Sequence, residues 1–587
     1  MPNDIVNKNC CEKNKIEPHC VTTNSRLEIS GLLALLLCSQ LLLFPKITVA
    51  DPAQAAVASA HPLATEAGIT VLEEGGNAFD AAIAVAAALA VVEPAGSGLG
   101  GGGFWLLHEQ SSNRQIMIDS RETAPGAAHR DMYLNEAGEV VREWSLDGPL
   151  SAAIPGTPAA LHHLAENYGQ LPLEVSLAPA IKHAREGFPV SARYQRFSNF
   201  RLAALQASTA AAKIFLHDNQ IPELGSLIIQ KDLANTLESI AREGRDGFYR
   251  GPIAQMMVDA VQQDGGIWTL DDLANYQLVE RQPIQAQIGD FRITSAALPS
   301  AGGKLLVSML KQLELLGYQQ ANPQQQHHYL AEVMRRAYRD RNLYLGDADF
   351  VDIPDYLTTQ AYAQQKIADI DHYQASHSEQ MWDGFANKGQ DTTHFSIIDA
   401  DGNRVAATLS INYPFGSGYV AAGTGVLLND EMDDFSAQAG TPNAYELVSE
   451  SANAIEPHKR PLSSMTPTFI ENDSRVAVLG TPGGSRIITM VLHGVMAFME
   501  GENAQGMVNR PRLHHQFLPD RIQLESPGFS ASAAADLRQR GHTVQVLNRQ
   551  FGNMQVVLRD NSTGITEAAS DPRGEGSSAV LSQTISD

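Results

Sequence analysis

The sequence predicts an α+β protein in which a helix-rich first part is followed by a strand-rich second part. Residues from about 150 to 380 carry apolar side chains mainly at helical spacing, and Leu330–Asp347 is the clearest helix. From Thr392 onward the chain changes to short strand-like runs with turn residues between them, plus one apolar helix. The main boundary of the chain is therefore predicted near residue 391.

The composition is that of a globular, well-solvated protein. Of the 587 residues, 43% are hydrophobic and 18% are charged, which is typical of a folded chain rather than a disordered one. A net charge of −24 argues against a surface that binds the phosphates of nucleic acid. We therefore expect no nucleic-acid partner.

The first fifty residues resemble an export leader. Ile29–Phe44 is mostly apolar, basic residues precede it and Thr48–Ala50 follows it, as in a signal peptide cleaved near Ala50. Sixteen residues are few for a membrane span, so an uncleaved anchor is the alternative. All four cysteines lie in this segment, and a mature chain from Asp51 would contain none. We expect a periplasmic or secreted protein, attached to a membrane only if the leader is retained.

Small apolar residues over Ala53–Ala90 recur at helical spacing, and the break at Gly75–Asn77 indicates two packed helices. The glycine run in Ser97–Leu107 then leads into a strand. It lacks the Gly-Lys-Ser/Thr of a phosphate loop and the strand-to-helix order of a dinucleotide site. Close backbone packing is therefore the expected role of these glycines.

A β-hairpin is predicted from Thr392 onward. Its two strand-like runs flank Asp401-Gly402, a dipeptide that favours a tight two-residue turn. Pairing across that turn, with an error of one or two residues, sets Thr392 opposite Ile411. Ser410 and Asn412 then lie beside Thr392, so two hydroxyls and an amide meet at one strand end.

A second hairpin is predicted to turn at Asn472-Asp473. Ser464 then faces Thr481, which brings Ser463 and Ser464 towards Gly483-Gly484. The apolar run that follows, Ser485–Met499, has the pattern of a helix. The two glycines would offer backbone N–H groups at its N-terminus, suited to an oxyanion or a carboxylate.

The sequence supplies no conventional base for a threonine nucleophile. There is no Gly-x-Ser-x-Gly elbow and no His-Glu-x-x-His motif, and the paired histidines are interpreted as lacking an acid at i,i+4, so no metal or cofactor is expected. Those pairs are His162-His163, His327-His328 and His514-His515. An N-terminal threonine carries its own base, because its α-amine has a pKa of about 7.7–8.0. That chemistry requires the chain to be cut between Asp391 and Thr392.

Several longer motifs make the chain recognisable. They read TTHFSIID, NDEMDDFS, KRPLSSMTPT, GTPGGSRI and RLHHQFLPD, with DSRETAPG, IPGTPAALHHLAENYGQLP and RRAYRDRNLYLGD upstream. Together they resemble the γ-glutamyltransferase family, which consists of secreted or periplasmic N-terminal-nucleophile hydrolases made as one inactive chain. The similarity runs from about Ala53 to the C-terminus.

The resemblance implies a fold and an organisation. The fold would be the four-layer αββα sandwich of the N-terminal-nucleophile hydrolases, formed jointly by two subunits after self-cleavage of a zymogen. Residues 1–50 would be the signal peptide, residues 51–391 the large subunit and residues 392–587 the small catalytic subunit of a heterodimer.

The resemblance also implies catalytic roles. Thr392 would attack the Asp391 carbonyl to split the precursor and, once N-terminal, would attack γ-glutamyl amides with its own amine as the base. Gly483 and Gly484 match the glycines of the oxyanion hole. Ser410 stands where the family often has a second threonine, so a hydroxyl beside Thr392 is retained.

Further residues match those that bind the substrate in the family. Arg121, Ser463 and Ser464 would bind the α-carboxylate of the γ-glutamyl group, and a guanidinium suits that task. Asn412, Glu431 and Asp434 would surround its α-ammonium. Tyr445, in the loop 437–457, matches the tyrosine of lidded members and would reach Asn412. Such a lid would exclude water and restrict acceptors.

The function implied is that of a γ-glutamyltransferase and glutathione hydrolase. A γ-glutamyl-Thr392 ester would pass its acyl group to water or to an amino-acid or peptide acceptor. One alternative is a cephalosporin acylase of the same superfamily that cleaves glutaryl amides, although glutaryl lacks the ammonium that Asp434 would bind. Another is an exported binding protein for γ-glutamyl peptides, which would not need cleavage before Thr392.

Overall fold

Two stacked β-sheets with helices on both outer faces form the centre of the molecule. The structure, a computed structural model, describes residues 54–378 and 392–581. Within this part of the chain the element order mixes helices and strands throughout. The leader predicted over residues 1–50 and the cleavage residue Asp391 lie outside the described residues.

The described helices and strands are labelled in chain order. The α-helices are α1 Pro62–Glu73, α2 Ala78–Val92, α3 Arg142–Leu146, α4 Thr157–Asn167, α5 Leu173–Glu186, α6 Ala192–Phe200, α7 Leu202–Ala207, α8 Thr209–Phe215, α9 Lys231–Glu243, α10 Asp246–Tyr249, α11 Gly251–Gln263, α12 Leu270–Asn275, α13 Gly302–Leu315, α14 Pro323–Tyr344, α15 Gln360–Ile367, α16 Ile487–Met499, α17 Ala504–Asn509 and α18 Ala531–Gln539. The strands are β1 Ala55–Ser59, β2 Gly102–Glu109, β3 Arg114–Ser120, β4 Phe188–Pro189, β5 Leu227–Ile228, β6 Val279–Arg281, β7 Ile284–Ile288, β8 Phe291–Ser295, β9 Thr393–Ile398, β10 Arg404–Ser410, β11 Val420–Ala421, β12 Val426–Leu427, β13 Thr468–Glu471, β14 Arg475–Gly480, β15 Leu513–His514, β16 Ile522–Leu524, β17 Val544–Val546, β18 Gln555–Asp560, β19 Thr566–Ser570 and β20 Ser577–Leu581.

The two large sheets are antiparallel and draw strands from both ends of the chain. The first has seven strands in the order β20-β1-β9-β10-β2-β3-β6, and the second has six in the order β19-β18-β14-β13-β8-β7. Strands β9 and β10 pair with each other and are flanked by β1 and β2, which come from the N-terminal part. The first sheet therefore joins segments from both sides of residue 391.

Side-chain alternation along the first sheet produces the layers. Val57 and Trp105 point into one core with α1, α2 and α5, whereas Ala56 and Phe104 point into a second core with the other sheet. Helices α13 and α16 pack on the far side of the second sheet. Because successive side chains of a strand face opposite sides, one sheet can close both cores. The predicted four-layer α+β arrangement is confirmed.

The two N-terminal helices are confirmed as α1 and α2, which pack against each other. Asn77 caps α2 through a capping box with Asp80. The strand β1, which precedes α1, was not predicted, because Ala55–Ser59 consists of small residues that fit a helical pattern equally well. Strands β6 to β8 likewise interrupt a region that is predicted to be mainly helical.

The first hairpin has the expected register but a different turn. Its pairs run from Arg404–Ile398 to Leu409–Thr393, one residue from the predicted pairing and within its stated error. The two-residue turn is wrong, because the Asp399 carboxylate accepts hydrogen bonds from the backbone N–H groups of Gly402 and Asn403. These bonds close a longer turn, and the same carboxylate also accepts from the N–H of Ala78 at the start of α2.

The second hairpin turns one residue later than predicted. Thr468 pairs with Leu479, because the side chain of Asn472 accepts hydrogen bonds from the N–H groups of Ser474 and Arg475 and so starts the turn. The predicted pairing of Ser464 with Thr481 is wrong, since β13 begins only at Thr468.

The glycine run packs backbone against backbone, as predicted. A Cβ on Gly101 would lie 2.1 Å from the carbonyl oxygen of Ser410, and one on Gly100 would lie 2.0 Å from that of Leu427. Distances this short admit no side chain. The glycine run therefore lets the backbone before β2 lie directly against the last residue of β10 and against β12.

Within residues 54–378 and 392–581, no helix combines the length and apolar character needed to cross a membrane.

Replacing Gly101 with alanine should destabilise the fold, because the added methyl group collides with the backbone of Ser410. We expect G101A to lower the free energy of unfolding by about 3 kcal/mol, the upper range for overpacking a core. The matched control is G98A in the same run, whose Cβ would meet nothing nearer than 3.6 Å. Thermal melting of both variants tests this, and equal melting temperatures would contradict it.

Candidate active site

The β9–β10 ladder brings Thr392 next to Ser410. Their hydroxyl oxygens lie 3.4 Å apart, and both residues are buried. The Ser410 hydroxyl also accepts a hydrogen bond of 2.8 Å from the backbone N–H of Asn412. A hydroxyl that is fixed in this way can orient the neighbouring threonine side chain.

Asn412 turns the chain away from β10 and towards the cavity. Its φ of +70° places it in the left-handed region, which asparagine tolerates better than most residues. The side-chain amide donates a hydrogen bond of 3.0 Å to the carbonyl oxygen of Asp430. This bond ties the end of the hairpin to the short helical turn Glu431–Asp434.

The glycine pair Gly483-Gly484 follows β14, and Gly484 begins the helical turn Gly484–Arg486 that precedes α16. Both residues have positive φ, +143° and +56°, which explains why glycine is needed at each. A Cβ on Gly484 would lie 2.2 Å from the ring of Tyr445, so this glycine lies directly beneath the tyrosine. Backbone N–H groups before a helix are suited to stabilising a developing negative charge.

Arg121 follows β3 and is fully buried among carboxylates. Its guanidinium donates hydrogen bonds to Glu431, to Asp434 at 2.6 Å and to the carbonyl oxygen of Pro461 at 3.2 Å. Asn443 donates a further hydrogen bond of 3.0 Å to the other carboxylate oxygen of Asp434. The Arg121 guanidinium and the carboxylates of Glu431 and Asp434 thus stand together in the cavity, which suits a small zwitterion.

Ser463 and Ser464 reach the same cavity from the segment before β13. Ser463 is fixed by main-chain bonds to residues 299–301, donating 2.8 Å to the Pro299 carbonyl and accepting 2.9 Å from the Ala301 N–H. The Ser464 hydroxyl is buried and has no hydrogen-bond partner among the described residues. A buried hydroxyl without a partner costs free energy unless a ligand satisfies it.

Tyr445 covers the cavity. Its hydroxyl donates a hydrogen bond of 2.6 Å to the carbonyl oxygen of Asn412, the contact expected from the sequence. The loop around it is held by Gln516, which donates to the Tyr445 carbonyl at 3.2 Å, and by the Glu446–Arg521 ion pair at 2.7 Å.

Nearly all of the predicted site residues line one small cavity. Those present are Arg121, Thr392, Ser410, Asn412, Glu431, Asp434, Tyr445, Ser463, Ser464 and Gly484. Gly483 lines a neighbouring cavity instead. The space left in this cavity is about 20 Å³, and Tyr445 is part of its wall, so the tyrosine closes the site.

Arg341 on α14 also lines this cavity and was missed from the sequence. It is buried, and its Nε and Nη1 atoms have no hydrogen-bond partner among the described residues. Burial lowers the pKa of Arg341 to about 10, and the attraction of Asp434 opposes that shift. In the sequence it is one of several arginines of a clear helix, and nothing there distinguishes it from the others.

The histidine interpretation needs correction. His162 and Glu166 do have i,i+4 spacing and lie 3.5 Å apart, and His328 and Glu332 share that spacing. Among the described residues, His328, Glu332 and His542 form a buried group with donor atoms within 4.8 Å. The Glu332 carboxylate in that group pairs with Arg336 at 2.6 Å.

Glu122, next to Arg121, is fully buried, and this burial raises its pKa to about 7 against the opposing attraction of Arg121. In the unfolded chain the same group titrates near 4.5. The folded state therefore retains a proton that the unfolded state releases, and Glu122 lowers stability as the pH rises from about 4.5 to about 7. The size of the loss is on the order of 3 kcal/mol.

We expect the melting temperature of the wild type, measured relative to E122Q, to fall as the pH is raised from 5 to 8. Glutamine cannot titrate, so the variant lacks this contribution. E136Q, in an exposed loop, is the control and should follow the wild type. Parallel pH profiles for the wild type and E122Q would contradict the prediction.

Comparison with known proteins places the chain among relatives of similar length. A family model described as gamma-glutamyltranspeptidase matches residues 64–581. A glutathione hydrolase proenzyme of Escherichia coli K12 is 41% identical over 531 residues, covering 89% of this chain and 90% of the relative. One from Pseudomonas aeruginosa PAO1 is 39% identical over 538 residues, covering 90% and 94%.

Solved structures show the same fold. A cephalosporin acylase from Bacillus halodurans matches with a TM-score of 0.80 at 28% identity, covering 90% of this chain and 96% of that chain. A γ-glutamyltranspeptidase chain from Helicobacter pylori matches with a TM-score of 0.52 at 39% identity, covering 53% and 90%. With the family model matching most of its length and relatives near 40% identity, this chain belongs to the γ-glutamyltranspeptidase family.

Proposed function

We propose that the protein is a γ-glutamyltransferase and glutathione hydrolase with Thr392 as its nucleophile. The observation that carries the proposal is the cavity beside Thr392, in which Arg121 stands opposite Glu431 and Asp434. A γ-glutamyl group ends in an α-carboxylate and an α-ammonium, and this arrangement offers the opposite charge to each. Membership of the γ-glutamyltranspeptidase family supports the same substrate class.

The first step in the proposed mechanism is self-cleavage. The Thr392 hydroxyl attacks the carbonyl carbon of Asp391, and the peptide C–N bond breaks as its nitrogen takes up a proton. Water then hydrolyses the resulting ester, which leaves Asp391 as a carboxylate and Thr392 with a free α-amine. That amine supplies the base that the rest of the sequence lacks.

Turnover then uses the new N-terminus. The α-amine accepts the proton of the Thr392 hydroxyl as the oxygen attacks the γ-carbonyl of the substrate. The N–H groups of Gly483 and Gly484 are proposed to stabilise the oxyanion, and the leaving amine departs with the proton. The γ-glutamyl-Thr392 ester is finally cleaved by water or by the amine of an amino-acid or peptide acceptor.

The proposal assigns the charged groups to the two ends of the substrate. Arg121, Ser463 and the unpartnered Ser464 hydroxyl would hold the α-carboxylate, while Glu431 and Asp434 would hold the α-ammonium with Asn412 beside it. Without substrate, Arg121 pairs with both carboxylates directly. A bound zwitterion would replace that internal pairing with two pairings of its own.

The proposal also covers the organisation of the mature protein. Residues 1–50 would be removed during export to the periplasm or the cell exterior, residues 51–391 would form the large subunit and residues 392–587 the small one. The two parts would remain associated, because β9 and β10 are hydrogen-bonded between β1 and β2. Tyr445 would serve as the lid that limits access of water and acceptors.

Cephalosporin acylase activity is the second candidate, favoured by the structural match at a TM-score of 0.80. A glutaryl group has no α-ammonium, so it would leave Asp434, whose side chain is only 13% exposed, without its counter-charge. The charge pattern therefore favours γ-glutamyl substrates. A binding protein without turnover would not need a cut before Thr392.

The wild type should purify as two chains, one of them beginning at Thr392. Intact mass measurement and N-terminal sequencing would show both chains, whereas T392A should remain uncut because it has no attacking hydroxyl. T392S restores a hydroxyl and should be cut, which separates loss of chemistry from loss of folding. A wild type that stays whole would overturn the mechanism.

Substrate preference should depend on Asp434. We expect the wild type to favour γ-glutamyl-p-nitroanilide over glutaryl-p-nitroanilide by roughly 5- to 150-fold in kcat/KM, because an unpaired buried carboxylate costs about 1–3 kcal/mol. The ratio should fall towards one in D434N. D401N, in an exposed turn, is the control and should retain the wild-type ratio. A wild type that prefers the glutaryl amide would favour the acylase.

A further inference from the structure

A second cavity lies on the other side of the glycine pair. Gly484 lines the cavity that contains Thr392, whereas the preceding residue, Gly483, lines the second one. Pro414, two residues beyond Asn412, also borders it. Its volume is about 350 Å³, within the range of small-ligand pockets. The two cavities are therefore lined by consecutive residues of the chain, Gly483 and Gly484.

The second cavity is lined by cations. Among the described residues, no aspartate or glutamate lines it, whereas five arginines do: Arg193, Arg196, Arg486, Arg549 and Arg573. Carboxylates outside the wall pair with two of these arginines. Arg573 pairs with Glu525 at 2.5 Å and Arg193 with Glu93 at 3.4 Å.

The excess positive charge of the cavity wall lies on Arg486 and Arg196. Arg486 is buried, and its guanidinium donates through Nε and Nη2 only to the neutral side-chain oxygen of Gln523, at 3.0 and 2.7 Å. Among the described residues, neither Arg486 nor the exposed Arg196 has a carboxylate within salt-bridge distance. Burial lowers the pKa of Arg486 to about 10, and repulsion from Arg549 adds to that shift. An anionic ligand would relieve this imbalance.

The position of the cavity relative to the nucleophile indicates which part of a substrate it would meet. The charged cluster around Arg121 occupies the first cavity and suits the γ-glutamyl end. The group on the other side of the scissile bond must extend away from that end, and the second cavity begins at Gly483, the residue that precedes Gly484. In a two-step acyl transfer the leaving amine and the incoming amine occupy the same place, because each attaches to the same carbonyl carbon from the same side.

We propose that the arginine-lined cavity binds the carboxylate of the amino acid or peptide on the far side of the scissile bond, both as leaving group and as acceptor. This proposal rests on the γ-glutamyltransferase function proposed above. It assigns the specificity for that part of the substrate to Arg196, Arg486 and Arg549. A donor whose leaving group has no carboxylate would gain nothing from these three residues.

The test compares substrates that differ only in this carboxylate. Glutathione and its C-terminal glycine amide are hydrolysed by the wild type, by R196Q, by R549Q and by the double variant. Both arginines are exposed, so these changes leave the core intact. We expect the wild type to prefer glutathione in kcat/KM and this preference to fall about tenfold in the double variant, roughly the effect of losing one charge-assisted hydrogen bond.

The matched control is R538Q, which removes an exposed arginine from α18, an element that contributes no residue to either cavity. It should retain the wild-type preference for glutathione over the amide. Equal preference for the two donors in the wild type, or an unchanged preference in the double variant, would overturn the inference for the leaving group. A wild type that cleaves no γ-glutamyl donor would instead refute the proposed function, and this inference with it.

A second arm tests the acceptor. With γ-glutamyl-p-nitroanilide as donor, transfer to glycylglycine is compared with transfer to glycylglycinamide in the same variants. A reduced preference for glycylglycine in the double variant supports the cavity as the acceptor site. If neither arm changes, the arginines form only a solvated basic surface and the proposal is wrong.

Discussion

The hydrogen bonding of β9 and β10 between β1 and β2 is the constraint on which the rest of the structure depends. It fixes the start of β9 at one end of the first sheet, where Thr392 meets Ser410. It also means that strands from both sides of residue 391 belong to one sheet. A cut at that point would remove no ladder hydrogen bond, because the ladder begins only at Thr393. Chain cleavage and an intact core are therefore physically compatible.

Around this end of the sheet the protein collects buried charge that it neutralises internally. Arg121 pairs with Glu431 and Asp434, while Glu122 gains a raised pKa by burial. Buried charges must be paired, because an unpaired charge away from water costs free energy. A ligand that breaks one of these ion pairs must therefore supply a new partner for each charge. A ligand enters such a cluster favourably only when it brings both a carboxylate and a cation. In the proposed function the site would therefore discriminate by charge pattern more than by shape.

The glycine pair Gly483-Gly484 separates two cavities of different character. One is small, covered by Tyr445 and balanced in charge. The other is larger, and the described residues that line it include five arginines but no aspartate or glutamate. Only glycines can stand there, because both have positive φ and one lies against the tyrosine ring. The backbone between the cavities therefore presents N–H groups without side chains that would obstruct either.

The sequence by itself determined the α+β class, the two N-terminal helices, the close packing of the glycine run and the first hairpin to within one residue, because these depend on local periodicity and turn chemistry. It also identified, partly through resemblance, the residues that meet beside Thr392. Only the tertiary structure decided what depends on distant partners. The Asp399 carboxylate accepts a hydrogen bond from the start of α2 and closes a longer turn in the first hairpin. Residues 299–301 hold Ser463 in place. Arg341 reaches the cavity from a helix that carries several arginines, which the sequence does not distinguish. Such contacts join segments that are far apart in the chain, and no local pattern encodes them.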